Sequence, residues 1–327
     1  MADTVILGAG IAGLLAATQL QKSGHDVLVL DKGHQVGGRM ATRALSADGS
    51  AQADHGAQFF TVRAPKFQAW VDEWLAQGVA AEWCRGFSGQ DGYPRYRGVP
   101  SMTAIPKKLA AGLDVRSSVE VTKISQENEH WQLETKDGNR FSAKQLLLTA
   151  PVPQSLALLD AGGLQLETPV RQALESIEYT PCFAAMVLLD GPSQIRHPGG
   201  VQEQGAVISW IGDNGQKGVS SRPTVTIHAS AEFSQMHLEE EPQKVGQLLI
   251  SAAHEAGYLN KSSVADMQVK RWMYAQPSNC HADRFLRTEI AGLPVVFAGD
   301  GFKHARVEGA ALSGLAAAES LLNLSFA

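Results

Sequence analysis

The sequence predicts an α/β fold in which one domain is built on a parallel, doubly wound sheet and a second domain is mostly antiparallel β. Two kinds of pattern support this prediction. Near-continuous apolar runs, typical of parallel strands covered on both faces, lie close to both ends of the chain. Runs that alternate between apolar and polar residues, typical of antiparallel strands, lie between them. The length of 327 residues exceeds one ordinary domain of roughly 100–200 residues.

Composition and charge narrow the class of protein. The formal net charge is -5, with 44% hydrophobic and 19% charged residues, which is ordinary for a globular chain. No polybasic block is present, so neither nucleic acid nor a membrane surface is a predicted partner. Because no run of about 18 apolar residues occurs and little precedes the first strand, we expect a cytoplasmic protein without a signal peptide or membrane span. The sequence carries no signal for an oligomeric state.

The three cysteines, Cys84, Cys182 and Cys280, are odd in number and far apart in the sequence. Their spacing matches neither a disulfide framework nor a set of zinc ligands. The sequence therefore predicts no metal site.

The first motif is a strand, a glycine-rich turn and a helix. Its predicted parts are a buried strand at Thr4–Leu7, the turn Gly8-Ala9-Gly10-Ile11-Ala12-Gly13, a helix at Ile11–Ser23 and its terminator Gly24. In such a motif Gly8 permits the tight turn, Gly10 lets a pyrophosphate approach the backbone, and Gly13 lets the helix pack against the strand. The free N–H groups at the start of the helix, including that of Ala12, then face the phosphate charge.

A second apolar run, Asp26–Leu30, is predicted to be the neighbouring parallel strand. It ends at Asp31, at the distance from the glycines where a dinucleotide fold places an acid against the adenosine ribose. Lys32 follows directly and is assigned to the same site. Together these features predict a Rossmann-like dinucleotide-binding domain.

Two further stretches indicate which dinucleotide is bound: Gly37-Gly38-Arg39-Met40 and Asp54-His55-Gly56-Ala57-Gln58-Phe59-Phe60. Paired glycines let a backbone approach a ligand while a guanidinium reaches anionic or carbonyl oxygens, although a flexible turn explains the glycines alone. The order of these motifs resembles that of the FAD-binding, amine oxidase-like flavoproteins.

That resemblance implies a p-hydroxybenzoate hydroxylase/amine oxidase-like architecture and FAD bound without a covalent link. It places Gly38 and Arg39 beside the pyrophosphate of FAD. It also places three residues along the flavin, namely Gly56, Ala57 and Gln58.

The segment that follows is predicted to contain helices and a small antiparallel unit. Its elements are a helix at Phe67–Leu75, a loop or hairpin at Gly86–Gly98, a helix at Ser101–Leu109 with Ser101 as N-cap, strands at Val115–Ile124 and Trp131–Thr135, a turn at Asp137-Gly138-Asn139, and a buried parallel strand at Phe141–Thr149. In the resembling superfamily the last strand returns to the sheet beside the cofactor. The backbone of Val121 would contact the adenine.

The chain then crosses into the second domain. The predicted elements are a helix at Val170–Ser176, strands at Phe183–Leu189, Ala206–Ile211 and Thr224–Ser230, a helix at Pro242–Ala256 and a strand at Val269–Tyr274. Their alternation predicts an antiparallel sheet with one face open to a ligand. We therefore expect a discontinuous FAD-binding domain, residues 1–62, 101–160 and 286–327, and a substrate domain, residues 63–100 and 161–285.

The last motif is an apolar strand at Leu293–Gly301, followed by Arg306–Gly314 at the start of a small-residue helix. In the resembling superfamily this helix points its positive end at the flavin and stabilises the negative charge of the reduced form. The resemblance places at the cofactor Gly299, Asp300, Glu308, Gly309 and Ala310. Asp300 would reach the ribityl chain, and small residues such as Gly314 are expected to permit a close approach.

Four stretches resemble the renalases in particular: Asp31–Thr42, Ala53–Thr61, Ser209–Gly218 with Val225–Glu239, and Lys270–Gln276. The resemblance implies an FAD oxidase that converts the 2- and 6-dihydro isomers of NAD(P)H to NAD(P)+ and reduces O2 to H2O2. It places around the nicotinamide ring Phe59, Asn214, His228 and Trp272. Phe59 stands where animal members have tyrosine, which leaves the detailed substrate preference open. Nothing in the sequence distinguishes NAD from NADP or one isomer from the other.

The residues themselves agree in part with this resemblance. Alternation in Thr224–Ser230 puts His228 on the polar side of its strand, and Trp272 shares a face with Lys270. Aromatic walls with a few polar groups suit a flat ring that carries a carboxamide. Taken alone, a strand histidine is more often a satisfied surface or core residue, and Trp272 would more often pack in a core. Because a dihydropyridine already holds a labile hydride, no residue is predicted to act as an acid or base.

Three other functions share these motifs. An amine or amino-acid oxidase often has a lysine near the flavin, for which Lys270 and Lys303 are candidates, and Cys280 lacks the context of a covalent flavin link. A polyene desaturase or isomerase shares the Gly-Gly-Arg element but is usually longer and more apolar. A non-catalytic FAD-binding protein would not need flavin elements at both ends of the chain.

Overall fold

A computed structural model describes residues 1–87 and 92–323 of the chain. Within these residues there are two main sheets, one of eight strands and one of five, and two small hairpins. The strands are β1 (Ala2–Leu7), β2 (Val27–Leu30), β3 (Thr42–Ala44), β4 (Gln52–Asp54), β5 (Ala80–Cys84), β6 (Arg95–Gly98), β7 (Asp114–Arg116), β8 (Val121–Glu127), β9 (His130–Thr135), β10 (Arg140–Leu148), β11 (Tyr179–Leu189), β12 (Gly200–Gln202), β13 (Ile208–Asp213), β14 (Thr224–Ala229), β15 (Val264–Pro277), β16 (Leu286–Ile290) and β17 (Leu293–Phe297). The helices are α1 (Ile11–Lys22), α2 (Pro65–Ala76), α3 (Ala104–Ala110), α4 (Val152–Ala161), α5 (Thr168–Glu175), α6 (Ala231–Met236), α7 (Pro242–Glu255) and α8 (Arg306–Leu322).

The larger sheet has the strand order β16-β17-β10-β1-β2-β7, with β9 pairing to the first half of β10 and β8 to β9. Its centre is parallel, so that Ile6 lies between Leu147 and Val29 in register. These three side chains point into one core, which α1 and α8 complete. The neighbouring residues of the same strands, such as Val5, point into a second core on the other face. Burial on both faces explains why these strands are near-continuous apolar runs.

The smaller sheet is antiparallel, in the order β12-β13-β14-β11-β15. One face packs against α7, where Val225 and Ile227 meet Val245 and Leu249 in a common core. The other face is turned towards the β3–β4 hairpin, whose Ala53 packs with residues of β11. The sheet therefore has one covered face and one that lies against the first domain.

Several predicted elements are correct and two details are wrong. Helix α1 ends near Gly24, whose φ of 86° is the left-handed terminator that was predicted. Ser101 is not an N-cap, because α3 begins after Thr103 and Ser101 is buried before it. The predicted strand Val115–Ile124 is two strands, since β7 joins the parallel sheet beside β2 while β8 pairs with β9.

Helix α4, strands β12 and β16 and helix α6 lie where no element was predicted, and β15 is longer than the strand predicted at Val269–Tyr274. The predicted loop or hairpin at Gly86–Gly98 ends in β6, which pairs with β5, and residues 88–91 of it lie outside the described part. The division into two domains at the stated boundaries stays a prediction. No helix of the described residues is both long and apolar enough to cross a membrane.

Candidate active site

The glycine-rich turn contains two glycines that the fold itself requires and one that it does not. A Cβ on Gly8, whose φ is 112°, would lie 2.6 Å from Oγ1 of Thr149, and a Cβ on Gly13 would lie 2.0 Å from the carbonyl oxygen of Gly8. A Cβ on Gly10 would meet no protein atom within 4 Å. The start of α1 also has no side-chain cap and no acidic residue in its first turn. The open space and the uncapped N–H groups fit a pyrophosphate.

Asp31 ties this turn to the end of β2. Its two carboxylate oxygens accept hydrogen bonds from the backbone N–H groups of Ala9 and Gly33, both at 2.6 Å. Burial raises the pKa of Asp31 although both hydrogen bonds oppose the shift. A carboxylate has about four lone-pair sites, so Asp31 can still accept from a ribose. Lys32 donates a hydrogen bond to Gln154. The contact of Val121 with adenine stays a prediction.

Arg39 and Asp300 join the two ends of the chain. The guanidinium binds both carboxylate oxygens, at 2.5 and 2.6 Å. It also donates to the carbonyl oxygens of Tyr274 and Ala275 in β15. Arg39 therefore reaches anionic and carbonyl oxygens as predicted, but those oxygens belong to the protein. The predicted contacts of Arg39 with pyrophosphate and of Asp300 with the ribityl chain stay predictions.

The segment Gly56-Ala57-Gln58 lies along the Gly37-Gly38 turn. A Cβ on Gly56 would lie 2.0 Å from the carbonyl oxygen of Arg39, which accepts a hydrogen bond from Ala57 N at 2.7 Å. Gln58 donates to the carbonyl oxygens of Asp54 and Gly56. The two motifs that predicted FAD thus lie in direct contact and are joined by a backbone hydrogen bond.

The start of α8 has no side-chain cap. Glu308 turns away from its own helix and accepts hydrogen bonds from the backbone N–H groups of Arg63 and Ala64, which precede α2. Two residues at this end of α8 have a positive φ: Lys303, before the helix, with 64°, and Arg306, its first residue, with 78°. Such strained backbone in residues other than glycine is often found at functional sites.

The explanation that was predicted for the small residues of α8 is wrong in part. A Cβ on Gly314 would lie 2.1 Å from the carbonyl oxygen of Ala12, and one on Gly309 would lie 1.7 Å from that of His304. Gly314 therefore permits α8 to pack against α1, and Gly309 permits the turn before α8. Ala310 is buried in the core, and Gly299, with φ of 135°, forms the turn that follows β17.

The open face of the smaller sheet carries two of the four predicted substrate residues, His228 and Trp272. Trp210, His228, Ala184 and Lys270 lie side by side on β13, β14, β11 and β15. Trp272, farther along β15, donates to the carbonyl oxygen of His55 and stacks on its ring, with centroids 5.3 Å apart and planes at 16°. The prediction that His228 points away from the apolar side is confirmed, since the core on the α7 face contains its neighbours in the strand.

Three buried polar atoms on this face have no hydrogen-bond partner in the described part of the chain: Nε2 of His228, Nδ1 of His55 and Nε1 of Trp210. Burial lowers the pKa of His228 from 6.5 to about 4, although a hydrogen bond to the backbone of His55 opposes the shift. Burial lowers the pKa of His55 to about 3, and nearby positive charges add to the shift. Both imidazoles are therefore neutral near pH 7. Buried polar atoms without a partner are costly, and a polar ligand bound at this face would supply the missing hydrogen bonds.

Phe59 belongs to an aromatic cluster that the sequence did not reveal. Its ring lies 5.1 Å from that of Phe87 and 5.6 Å from that of Trp210, and Trp83 touches all three. The guanidinium of Arg95 lies 5.0 Å from the centroid of Phe87. The rings come from separate segments, so only the fold brings them together.

Asn214 lies behind the pocket wall. Its Oδ1 accepts a hydrogen bond from Asp54 N at 3.2 Å, and its Nδ2 donates to Oγ1 of Thr226 at 3.0 Å. Thr226 in turn donates to the carbonyl oxygen of Asp54. Because the buried amide is used at both ends, the structure gives Asn214 a positioning role. Its predicted contact with the substrate ring would need the side chain to turn.

The lysine that the structure buries is Lys217, which was not among the candidates. Its Nζ lies 2.8 Å from Oδ2 of Asp54, and the two side chains are 1% and 0% exposed. Asp54 also accepts hydrogen bonds from Oγ1 of Thr42 and from Met102 N. Burial lowers the pKa of Lys217 although Asp54 opposes the shift. Lys303 is exposed. The sequence did contain a signal for Lys217, since it lies with Asn214 in one of the renalase-like stretches.

Because both imidazoles are neutral in the folded protein, we predict that the protein loses stability in acid. The unfolded chain binds a proton at each imidazole near pH 6.5, whereas the folded chain does so only near pH 4 for His228 and near pH 3 for His55. The stability that the neutral imidazoles contribute is fully present above pH 6.5 and is lost as the pH falls towards the folded-state pKa values. The loss is at most about 1.4 kcal/mol for each histidine and each pH unit. Urea unfolding of the FAD-saturated protein at several pH values measures the slope.

A matched pair of variants checks this assignment. His228→Asn should flatten the dependence on pH, whereas His130→Asn, at a position whose imidazole makes an exposed hydrogen bond to the carbonyl oxygen of Asn128, should leave it as in the wild type. Equal slopes in all three proteins would show that His228 does not remain neutral in the fold.

Comparison with known proteins decides the family. A family model described as an NAD(P)-binding Rossmann-like domain matches residues 6–74. One described as flavin containing amine oxidoreductase matches residues 66–322, which is most of the chain. The chain belongs to the flavin-containing amine oxidoreductases. As such it is an FAD-dependent oxidoreductase, and the predicted fold class and non-covalent FAD are confirmed.

Individual proteins that are similar to this amine oxidoreductase support the family assignment. It is 26% identical to "Renalase" of Mus musculus over 333 residues, which covers 96% of this chain and 97% of the mouse protein. A structure of putrescine oxidase bound to putrescine superposes with a TM-score of 0.71 at 16% identity, covering 98% and 99% of the two chains. Cyclohexylamine oxidase from Brevibacterium oxydans IH-35A gives a TM-score of 0.70 at 14% identity over 100% of both chains. The solved structures share the fold, and the resemblance to the renalases is confirmed by the mouse protein.

The residues present fit FAD. The space at Gly10 and the uncapped start of α1 suit its pyrophosphate, and Asp31 has acceptor capacity for its ribose. The start of α8 also has no side-chain cap, which suits a helix end that faces the flavin. In the described part of the chain, no group of three or more His, Cys, Asp or Glu side chains could hold a metal ion.

Proposed function

We propose that this flavoprotein oxidises the 2- and 6-dihydro isomers of NAD(P)H to NAD(P)+ and transfers the electrons to O2, giving H2O2. The similarity to mouse "Renalase" over nearly the whole of both chains supports the proposal. The alternative is an amine or amino-acid oxidase, since putrescine oxidase and cyclohexylamine oxidase share the fold.

The observation that carries the proposal is the pair of neutral, partly unpartnered imidazoles. His228 and His55 each present one ring nitrogen without a partner in the described part of the chain, beside the aromatic rings of Trp210 and Trp272. A neutral imidazole offers one donor and one acceptor, which matches a carboxamide that has both. A flat neutral ring with a carboxamide therefore suits this pocket.

The charges near the pocket disfavour an amine. The cations Lys270 and Arg43 act on His55, and the buried carboxylate of Asp54 is already bound to Lys217. An ammonium ion would approach this positive field, and the one buried carboxylate described beside it is already bound to a lysine. The guanidinium of Arg95 already lies 5.9 Å from the centroid of the Phe59 ring, so a second cation would meet a positive charge there too.

The reaction requires position and little else from the protein. FAD supplies the acceptor for the hydride and later the electrons for O2. Oxidation of a dihydropyridine forms an aromatic pyridinium, so no proton leaves carbon and no general base is needed. His228 and His55 would orient the carboxamide, and Trp272 and Phe59 would stack on the ring. They would hold the donor carbon at about 3–3.5 Å from the accepting atom. Asn214 would position Thr226 and Asp54 behind them.

An anaerobic mixing experiment tests the proposal. The purified flavoprotein is mixed with an equilibrated NADH preparation that contains trace isomers, with pure 4-dihydro NADH and with a panel of amines. Fast bleaching of the flavin, stoichiometric with the isomer and absent with pure 4-dihydro NADH, is the expected result. Bleaching by amines alone would replace the proposal with the amine oxidase alternative.

His228→Ala should weaken binding of the isomers or slow the reductive step by roughly 10-fold or more, because a polar group of the substrate then loses its partner. FAD content should not change, since His228 lies on the substrate sheet and not in the turn at Gly8–Gly13. The control is His130→Ala, which should react as the wild type does. Rapid-mixing spectroscopy gives both the rate and the apparent dissociation constant. Loss of flavin from His228→Ala would contradict the assignment.

A further inference from the structure

Two cations without a counterion stand at the edge of the imidazole pocket. In the described part of the chain, neither Arg43 nor Lys270 forms an ion pair, whereas Arg39 and Lys217 each bind a carboxylate. Burial, followed by the charges of Arg43 and Lys32, lowers the pKa of Lys270, and no carboxylate opposes this shift. The edge of the pocket therefore has an excess of positive charge.

The fold brings these cations together from two sheets. Arg43 lies on β3 opposite Ala53, on the face of the hairpin that packs against the substrate sheet. Lys270 lies on β15 in the same row as His228, and its Nζ is 5.0 Å from the centroid of Trp272. The charge of Arg43 acts on both His55 and Lys270. Both cations thus border the pocket without lying at its centre.

A dinucleotide whose nicotinamide ring enters this pocket must lead its phosphates out past the edge. An arginine fork binds phosphate oxygens in pairs, and an ammonium ion binds them as a point charge. The pyrophosphate of FAD already has a site at Gly10 and the start of α1. A second anionic group would therefore explain why two more cations are left without a counterion.

We propose that Arg43 and Lys270 bind the pyrophosphate of the dinucleotide substrate, an inference that rests on the proposed function. The pair makes the enzyme selective for dinucleotides over smaller dihydronicotinamides. It acts on binding through the phosphates and takes no part in hydride transfer.

The test compares nicotinamide ligands that carry different numbers of phosphate groups, of which the mononucleotide and the riboside differ by one phosphate alone. FAD-loaded wild type, Arg43→Ala/Lys270→Ala and the control Lys244→Ala/Lys261→Ala are titrated with NAD+, NADP+, nicotinamide mononucleotide and nicotinamide riboside, following the flavin absorbance. Both control lysines lie at or beside α7, on the covered side of the sheet. The affinity of the pocket variant for NAD+ should fall by roughly 10- to 100-fold, with a smaller fall for the mononucleotide and no comparable fall for the riboside. The control should bind all four ligands as the wild type does.

Three outcomes would overturn the inference. An equal loss for the riboside would mean that the cations act on the ring. Loss of bound FAD would mean that they serve the cofactor, and a loss confined to NADP+ would assign them to its 2′-phosphate. The proposed function is tested separately with the dihydro isomer of the riboside, which has no phosphate. If the wild type oxidises neither this isomer nor the dinucleotide isomers, the proposed reaction is wrong. Phosphate-dependent binding of NAD+ would still support the proposed phosphate site in that case.

Discussion

Gly10→Val should abolish FAD binding and leave the protein folded. Gly10 has φ of −80° and ψ of 179°, a conformation that any residue adopts, and its missing side chain faces space that no protein atom occupies. A valine there would fill the space assigned to the pyrophosphate. We expect FAD affinity to fall by at least roughly 100-fold, with an unchanged melting temperature of the FAD-free protein. Fluorescence titration with FAD and calorimetry of the apoprotein measure the two effects.

Gly13→Val is the matched variant in the same turn. Its Cβ would lie 2.0 Å from the carbonyl oxygen of Gly8, a contact that the backbone must move to relieve. This variant should lose stability in the FAD-free protein as well. If Gly10→Val binds FAD normally, or if it melts as early as Gly13→Val, the assignment of Gly10 to the ligand is wrong.

Lys217→Met should destabilise the protein by about 3–5 kcal/mol, which is the usual cost when one partner of a buried ion pair is removed. The carboxylate of Asp54 would keep its hydrogen bonds from Thr42 and Met102 but lose its only partner cation within 4 Å among the described residues. Urea unfolding at neutral pH with saturating FAD measures the effect. FAD affinity should fall too, because the carbonyl oxygen of Asp54 holds Gln58 in the segment that is assigned to the flavin.

A double-mutant cycle separates the lost pair from lost packing. Asp54→Asn alone leaves Lys217 unpaired, whereas Asp54→Asn/Lys217→Met leaves no buried charge and should recover most of the stability. The surface variant Lys136→Met breaks an exposed pair with Glu120 and should change little. A double variant no more stable than Lys217→Met would show that the pair is not the reason for the loss.

Much of the larger sheet could be predicted because its signals are local. A parallel strand that is buried on both faces is a continuous apolar run, and Thr4–Leu7, Asp26–Leu30 and Phe141–Thr149 all became strands close to their predicted bounds. The glycines of the first turn were assigned from spacing, and Gly8 and Gly13 have the contacts that this spacing requires. The errors lie where local pattern is ambiguous. Val115–Ile124 alternates throughout, yet a left-handed residue at Ser118, with φ of 59°, lies between its two strands.

The candidate site was predicted less completely. His228 and Trp272 lie on one pocket-facing side, as alternation within each strand indicated. His55, Trp210 and Lys217 lie in the renalase-like stretches but were not proposed for the site, and Trp83 and Phe87 lie outside those stretches. Cross-strand register decides that Trp210 lies beside His228, and register depends on pairing between residues far apart in the chain.

The sequence by itself determined the dinucleotide-binding turn and the two kinds of sheet, since these depend on residue periodicity and on spacing within short segments. Its motifs also carried the resemblance to the FAD-binding family. The tertiary structure alone decided how the side chains divide their roles. It assigned Gly314 to helix packing, placed the amide of Asn214 between Asp54 and Thr226, and brought Lys217 to Asp54. The physical reason is that a glycine, an amide or a lysine acquires its role from what lies opposite it, and in this fold that partner comes from another part of the chain.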